Sequence, residues 1–252
     1  MGINALRFVF VADNHGDRAD PHSVKALFEF MQFWKPEIRI HGGDCFDLRA
    51  FRKKASEEER LESIKDDVEA GLDFMARFRP TVWLRGNHDE RLIDMTKCAD
   101  GNLSAYARLL WDQIDDRLTL MGCSEIFPYD AKAGVLRLGH LKFVHGYHNG
   151  ITAARVAAQI YGSVIMGHVH AFDEYSIPGI DRRVGRSCGC LCELRMDYNR
   201  AMPNTLRQSH GWYYGFLFPD DTFRVYQAEE IDGQWIIPTE FGRFPSEPAG
   251  GV

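Results

Sequence analysis

The sequence predicts an α/β fold with a mostly parallel sheet. Two observations carry that expectation: strand-like and helix-like runs alternate along most of the chain, and the C-terminal part is rich in strand patterns. "LRFVFVAD" (6–13) is a strand pattern ending in an acidic residue, and "HSVKALFEFMQFW" (22–34) has the spacing of an amphipathic helix. "EIRIHGGD" (37–44) is a second strand running into glycines. Residues 56–78 have helical spacing, with Leu61, Ile64, Val68, Leu72 and Met75 at the apolar positions. "TVWLRGNHD" (81–89) is a third strand ending in a polar loop. After a less regular part come strand-like segments near 134–145, a helix near 152–161, and a short apolar run, 163–166, that stops at Gly167. "GWYYGFLF", "TFRVYQAEE" and "QWIIP" then suggest antiparallel strands beside the parallel ones.

At 252 residues and 45% hydrophobic content the chain reads as a single domain, 1–252, with "PSEPAGGV" (245–252) as a loose tail. It carries no internal repeat or linker-like tract. The net charge of −6 argues against a broad cationic surface for duplex nucleic acid or anionic membrane. The first residues lack a cationic region and a cleavage site, and no apolar stretch is long enough to span a bilayer, so the expected location is cytoplasmic. Cysteines 45, 98, 123, 188, 190 and 192 show no C-x-x-C spacing and are expected as reduced thiols; the last three alternate like one face of a strand.

The ends of the predicted strands collect the chemistry. They supply Asp13 and His15 in "VADNH", Asp44 in "HGGDCFD", Asn87, His88 and Asp89 in "RGNHDE", His145 in "FVHGYH", and His168 and His170 in "GHVH". Ligand sites in α/β sheets form beyond the carboxyl ends of strands, so these clusters are expected to converge. Mixed imidazole and carboxylate donors suit Mn, Fe or Zn rather than Mg or Ca. Two aspartates, an asparagine and four histidines exceed the needs of one ion. A carboxylate shared between two ions about 3.5–4 Å apart resolves the count, and that arrangement serves in-line displacement at phosphorus.

In this order D-x-H, G-D, G-N-H-D, H and G-H-x-H, spanning residues 13–170, strongly resemble the calcineurin-like metallophosphoesterase superfamily. The resemblance implies a four-layer α/β/β/α sandwich with a dinuclear metal centre at one sheet edge. It implies that Asp13, His15 and His170 bind one ion, that Asn87, His145 and His168 bind the other, and that Asp44 bridges them. His88 would bind neither. Beside a metal ligand and followed by the acidic Asp89, which would orient it and keep it protonated, its imidazole suits a general acid for the departing oxygen.

The implied activity is metal-dependent hydrolysis of phosphate esters, with two transition-metal ions, foremost Mn. The leading expectation is a phosphodiesterase acting on nucleotides or nucleic-acid ends. The alternatives are a phosphomonoesterase for small molecules or proteins, and a catalytically silent scaffold. Asp47 either orients a ligand or caps the following segment. His148 rivals His145, which has the better placement directly after "LKFV"; histidines 22, 41, 140 and 210 are not needed for the metals. Basic runs 48–54 and 181–186 are candidate substrate contacts, with Arg52 foremost, and residues 89–127 are a candidate cap over the site.

Overall fold

A computed structural model describes residues 5–194 and 203–238; the tail expected at 245–252 lies outside them. Strand β1 (Leu6–Val11) leads to helix α1 (Pro21–Trp34) and strand β2 (Ile38–His41). Helices α2 (Glu57–Leu61) and α3 (Ile64–Phe78) precede β3 (Val82–Leu84), after which come α4 (Asp89–Met95), α5 (Gly101–Leu120) and β4 (Glu125–Phe127). The second half holds β5 (Leu136–Leu138), β6 (Leu141–Val144), α6 (Ala153–Tyr161), β7 (Val164–Met166), β8 (Asp173–Ile177) and β9 (Arg183–Ser187). Strands β10 (Gly211–Leu217), β11 (Phe223–Ile231) and β12 (Gln234–Ile236) close the described chain.

One sheet has the order β12-β11-β10-β1-β2-β3-β4 and the other β5-β6-β7-β9-β8. Strands β1 to β4 run parallel to their neighbours, while β10, β11 and β12 are added antiparallel at the β1 side, as the β-rich end of the sequence predicts. β6, β7 and β9 are likewise parallel.

β1 shows why the layers stack as they do. Side chains alternate across a strand, so Phe8, Phe10 and Ala12 join Phe143 and Ile165 of the second sheet, while Val9 and Val11 pack with Leu27, Phe30 and Trp34 of α1. Both faces are apolar because both are covered. α3 and α5 pack with Trp83 on the outer side of the first sheet, and Ala153 and Ala157 of α6 pack on Val144, Val164 and Met166 of the second. The result is the expected four-layer sandwich.

Two local expectations change. Residues 56–78 form two helices, because Ser56 and Ser63 each cap a helix start, with the Ser56–Glu59 capping box closing the first. Residues 89–127, expected as a cap, are mainly a crossover: α5 buries Ala107, Leu110, Ile114 and Leu118 in the helix layer, and β4 extends the first sheet beside β3. Only α4 starts at the edge where the strand ends gather. Among the described residues no helix is long and apolar enough to cross a membrane.

Candidate metal centre

The carboxyl ends of β1, β2 and β3 meet those of β6 and β7 at one edge of the sandwich. Each strand stops one to three residues before a candidate ligand, and the backbone then turns sharply. Asp13, His15, Asp44, His168 and His170 all have positive φ, between 51° and 73°. This left-handed conformation costs an L-residue about 1–2 kcal/mol. Glycines let the segments close up. A Cβ on Gly43 would come 2.5 Å from His145 Nδ1, one on Gly167 would come 2.6 Å from Asp13 Oδ2, and one on Gly86 would enter the Asp44 carboxylate.

Two groups of donor atoms result. In the first, His170 Nε2 lies 3.2 Å from His15 Nε2 and 3.3 Å from Asp13 Oδ1, with His15 Nε2 4.0 Å from the same oxygen. In the second, His145 Nε2 lies 3.1 Å from Asn87 Oδ1 and 3.3 Å from Asp44 Oδ2, and His168 completes the cluster with Asp44 and His145. Asp44 stands between the two groups, also clustering with His15 and His88. All seven candidates from the sequence are therefore brought together. His148 is exposed, outside both groups.

The donor set fits divalent cations. Asp13 Oδ1 is buried without a hydrogen-bond donor, an arrangement that needs a positive charge to offset its desolvation. Imidazoles beside the carboxylates supply that charge when no cation does. Burial opposes the imidazolium of His145, but Asp44 and Asp13 outweigh it and raise its pKa to about 9. The same opposition, burial against Asp13 and Cys190, lifts His170 well above the usual histidine range. His168 goes the other way, pushed down to about 4 by burial and by His145. Burial works against ionised Asp44, yet the surrounding histidines hold its pKa well below the usual carboxylate range. His145 Nδ1 donates to the Gly42 carbonyl at 2.8 Å, which leaves Nε2 facing the centre.

His88 borders the centre on the Asp44 side. Its backbone N–H donates to Asp44 Oδ1 at 2.8 Å, and its Nε2 lies 3.9 Å from Asp44 Oδ2. Its Nδ1 meets Asp47 Oδ1 at 2.6 Å. Here the structure corrects the sequence reading twice. The acidic partner of His88 is Asp47, not Asp89. The Asp89 carboxylate turns away and accepts from the backbone N–H groups of Asp44, Gly86 and Phe46 at 2.8, 2.8 and 3.0 Å, tying the second and third strand ends together. Burial and the neighbouring Asp44 push its pKa up to about 7.

Asp47 holds His88, and no side-chain cap forms on the segment that follows it. It also faces His15 Nδ1 at 3.5 Å and accepts from Arg49 Nη1 at 2.7 Å, while Arg91 Nη1 donates to its carbonyl at 2.6 Å. Arg49 is itself clamped by Asp17 and Glu62. Arg52 forms an ion pair with Glu59 at 2.5 Å on α2, and its guanidinium also donates to the Lys54 carbonyl. His41 is buried, bonded to Asn14 Oδ1 at 2.8 Å and accepting from Gly43 N–H at 3.2 Å, and so holds two strand ends in register. The spacing D-x-x-D of Asp44 and Asp47 was the one signal for Asp47 in the sequence; nothing local marked Asn14 or His41.

Solved structures similar to the chain include a metallophosphoesterase from Sphaerobacter thermophilus, at 16% identity and a TM-score of 0.47, covering 90% of this chain and 89% of that one. Vacuolar Protein Sorting 29 from Cryptosporidium Parvum is similar at 11% identity and a TM-score of 0.46, with 93% and 96% covered. The nuclease MPE from Pseudomonas putida is similar at 16% identity and a TM-score of 0.38, with 82% and 83% covered. No curated protein matches the sequence. The family model for calcineurin-like phosphoesterases matches residues 6–172, which hold both donor groups and about two thirds of the sequence. On that match the chain belongs to the calcineurin-like phosphoesterase family.

Proposed function

We propose that the chain is a dinuclear metal-dependent hydrolase of phosphate diesters, acting on nucleotides or nucleic-acid ends. The observation that carries this reading is the convergence of two buried donor groups on Asp44, with His88 beside them and pinned by Asp47. Asp13, His15 and His170 would hold one ion, Asn87, His145 and His168 the other, and Asp44 both. Imidazole, amide and carboxylate donors favour Mn, with Fe and Zn next. When bound, such ions supply Lewis acidity toward phosphoryl oxygens and lower the pKa of water.

The remaining work falls to the chain's own residues. His88 gives a proton from Nε2 to the departing ester oxygen, while Asp47 keeps Nδ1 occupied and the ring fixed. Burial lowers the His88 pKa, which eases release of its proton, while Asp44 and Asp47 act the other way and favour the imidazolium. A proton donor matters most where the leaving group is an alkoxide, as in nucleotides and nucleic-acid ends. Asp89 acts by holding the Asp44 backbone, not by touching substrate. Arg52 would have to leave Glu59 to reach a phosphate; Arg52→Ala raising KM at unchanged metal content supports that contact, and unchanged kinetics removes it. The charge and apolar patterning support a cytoplasmic location.

The test is a hydrolysis screen of Mn-loaded protein against dinucleotides, cyclic nucleotides, phosphomonoesters and single-stranded DNA. Chelator-sensitive diester turnover is expected. Turnover of monoesters alone would make the protein a phosphatase, and two bound ions without turnover would make it a scaffold.

A further inference from the structure

Cys190 and Cys192 lie beyond the span matched by the family model, are fully buried, and are not among the seven proposed ligands. Cys192 Sγ lies within 4.8 Å of a ring nitrogen of His15 as well as of His170, at the border of the first donor group. Cys192 Sγ is 3.8 Å from His170 Nδ1, and Cys190 Sγ is 3.8 Å from the Cys192 carbonyl oxygen. The opposite edge of the His170 ring faces the centre, with Nε2 3.3 Å from Asp13 Oδ1. The backbone around the thiols is tied to the same neighbours: Leu191 N–H donates to the Asp13 carbonyl at 3.2 Å, Ser209 N–H to the His170 carbonyl at 2.9 Å, and Cys190 N–H to the Ser209 carbonyl at 3.0 Å. His210 Nε2 further donates to the Cys192 carbonyl at 2.9 Å. The cysteines therefore occupy a fixed strap against the first donor group.

An imidazole that binds metal through one nitrogen carries a proton on the other, and the group accepting that proton fixes the ring's tautomer and orientation. His145 has the Gly42 carbonyl for this purpose. For His170 the atom in that place is a thiol sulfur, a weak acceptor but a competent one. We propose that Cys192, flanked by Cys190, is the positioning residue of His170: its sulfur accepts the Nδ1–H proton, and Nε2 is thereby presented bare toward Asp13 and His15. The inference rests on the reading of His170 as a metal ligand.

It is tested on the full chain with three variants: Cys192→Ser, Cys192→Ala, and the double exchange Cys190→Ala with Cys192→Ala, which leaves no sulfur to substitute. Mn affinity is measured by equilibrium titration, and the protonated nitrogen of His170 is identified by nitrogen-15 NMR of the Zn-loaded protein. The double variant should lose one of two ions by about 10–100-fold while the other is held as before. Cys192→Ser, which keeps an acceptor, should recover most of that loss, and the wild-type spectrum should show the proton on Nδ1. Unchanged affinity in the double variant would sink this inference alone. Equal losses for serine and alanine at one ion would mean that Cys192 is itself a ligand or only packs, and losses at both ions would mean that the thiols only pack; either result overturns the inference. A wild-type chain that takes up no ion would overturn the metal-centre reading, and this one with it.

Discussion

His88 Nδ1 lies 2.6 Å from Asp47 Oδ1, while the ring's other nitrogen lies 3.9 Å from Asp44 Oδ2. The ring is thus held from behind by one carboxylate and presented to the centre beside another. His88→Ala should keep both ions and the fold, and should slow hydrolysis by about 10²–10⁴-fold on alkyl or nucleoside esters. A nitrophenyl ester, whose leaving group departs without a proton, should lose much less. Asp47→Asn should show the same leaving-group dependence in milder form. Equal losses on both esters would mean that His88 stabilises charge or holds substrate, and loss of metal would mean that it is a ligand.

Asp44 clusters with His15 of the first donor group and with His145 and His168 of the second. Asp44→Ala should therefore weaken uptake of both ions, and Asn87→Ala that of one. Elemental analysis of dialysed protein reads this directly. A wild-type stoichiometry of one ion per chain would refute the bridge.

Asp89 satisfies three buried N–H groups on two strand ends. Asp89→Ala leaves all three without acceptors, at about 1–3 kcal/mol each and not additively. A fall in Tm together with weaker metal binding is expected. A variant with wild-type Tm would show that the three bonds contribute little.

His41 gives a pH dependence. Burial lowers its pKa to about 3, against about 6.5 for an unperturbed histidine. A depressed folded-state pKa means that its contribution to stability is fully present above about pH 6.5 and is lost as pH falls toward 3. Denaturant titrations of metal-free protein across that window should show a shallower pH slope for His41→Gln than for wild type. Parallel slopes would show that His41 does not carry the linkage.

Much of this site was legible because its residues end strands. The period-2 run of β1 and the buried runs of β6 and β7 are local signals, and Asp13, His145 and His168 follow them within two residues. Partnership was not legible. Asp47 and Asp89 are both acidic and both close in sequence to a ligand, and only the folded loop decides which carboxylate meets His88 and which meets backbone. The break between α2 and α3 escaped the helical periodicity, although Ser56 and Ser63 were each in place to start a helix. The sulfur beside His170 depends on a strap some twenty positions further along, which no local pattern encodes.

The left-handed turns at Asp13, His15, Asp44, His168 and His170 bear on how such a centre can be transplanted or rewritten. Seven side chains grafted onto regular strands of another sheet would point to alternate faces, because it is the main chain that aims them here. Rewriting in place is easier. Asp, Asn and His are the non-glycine residues that tolerate this conformation best, and they are also the side chains that hold transition metals. An exchange such as His168→Asp or His170→Asn keeps the turn while changing the donor, whereas a β-branched substitute strains the backbone before any ion is considered. The vocabulary of backbone and the vocabulary of ligand overlap at these positions, so selection for a different metal can proceed by single exchanges without rebuilding the sheet edge.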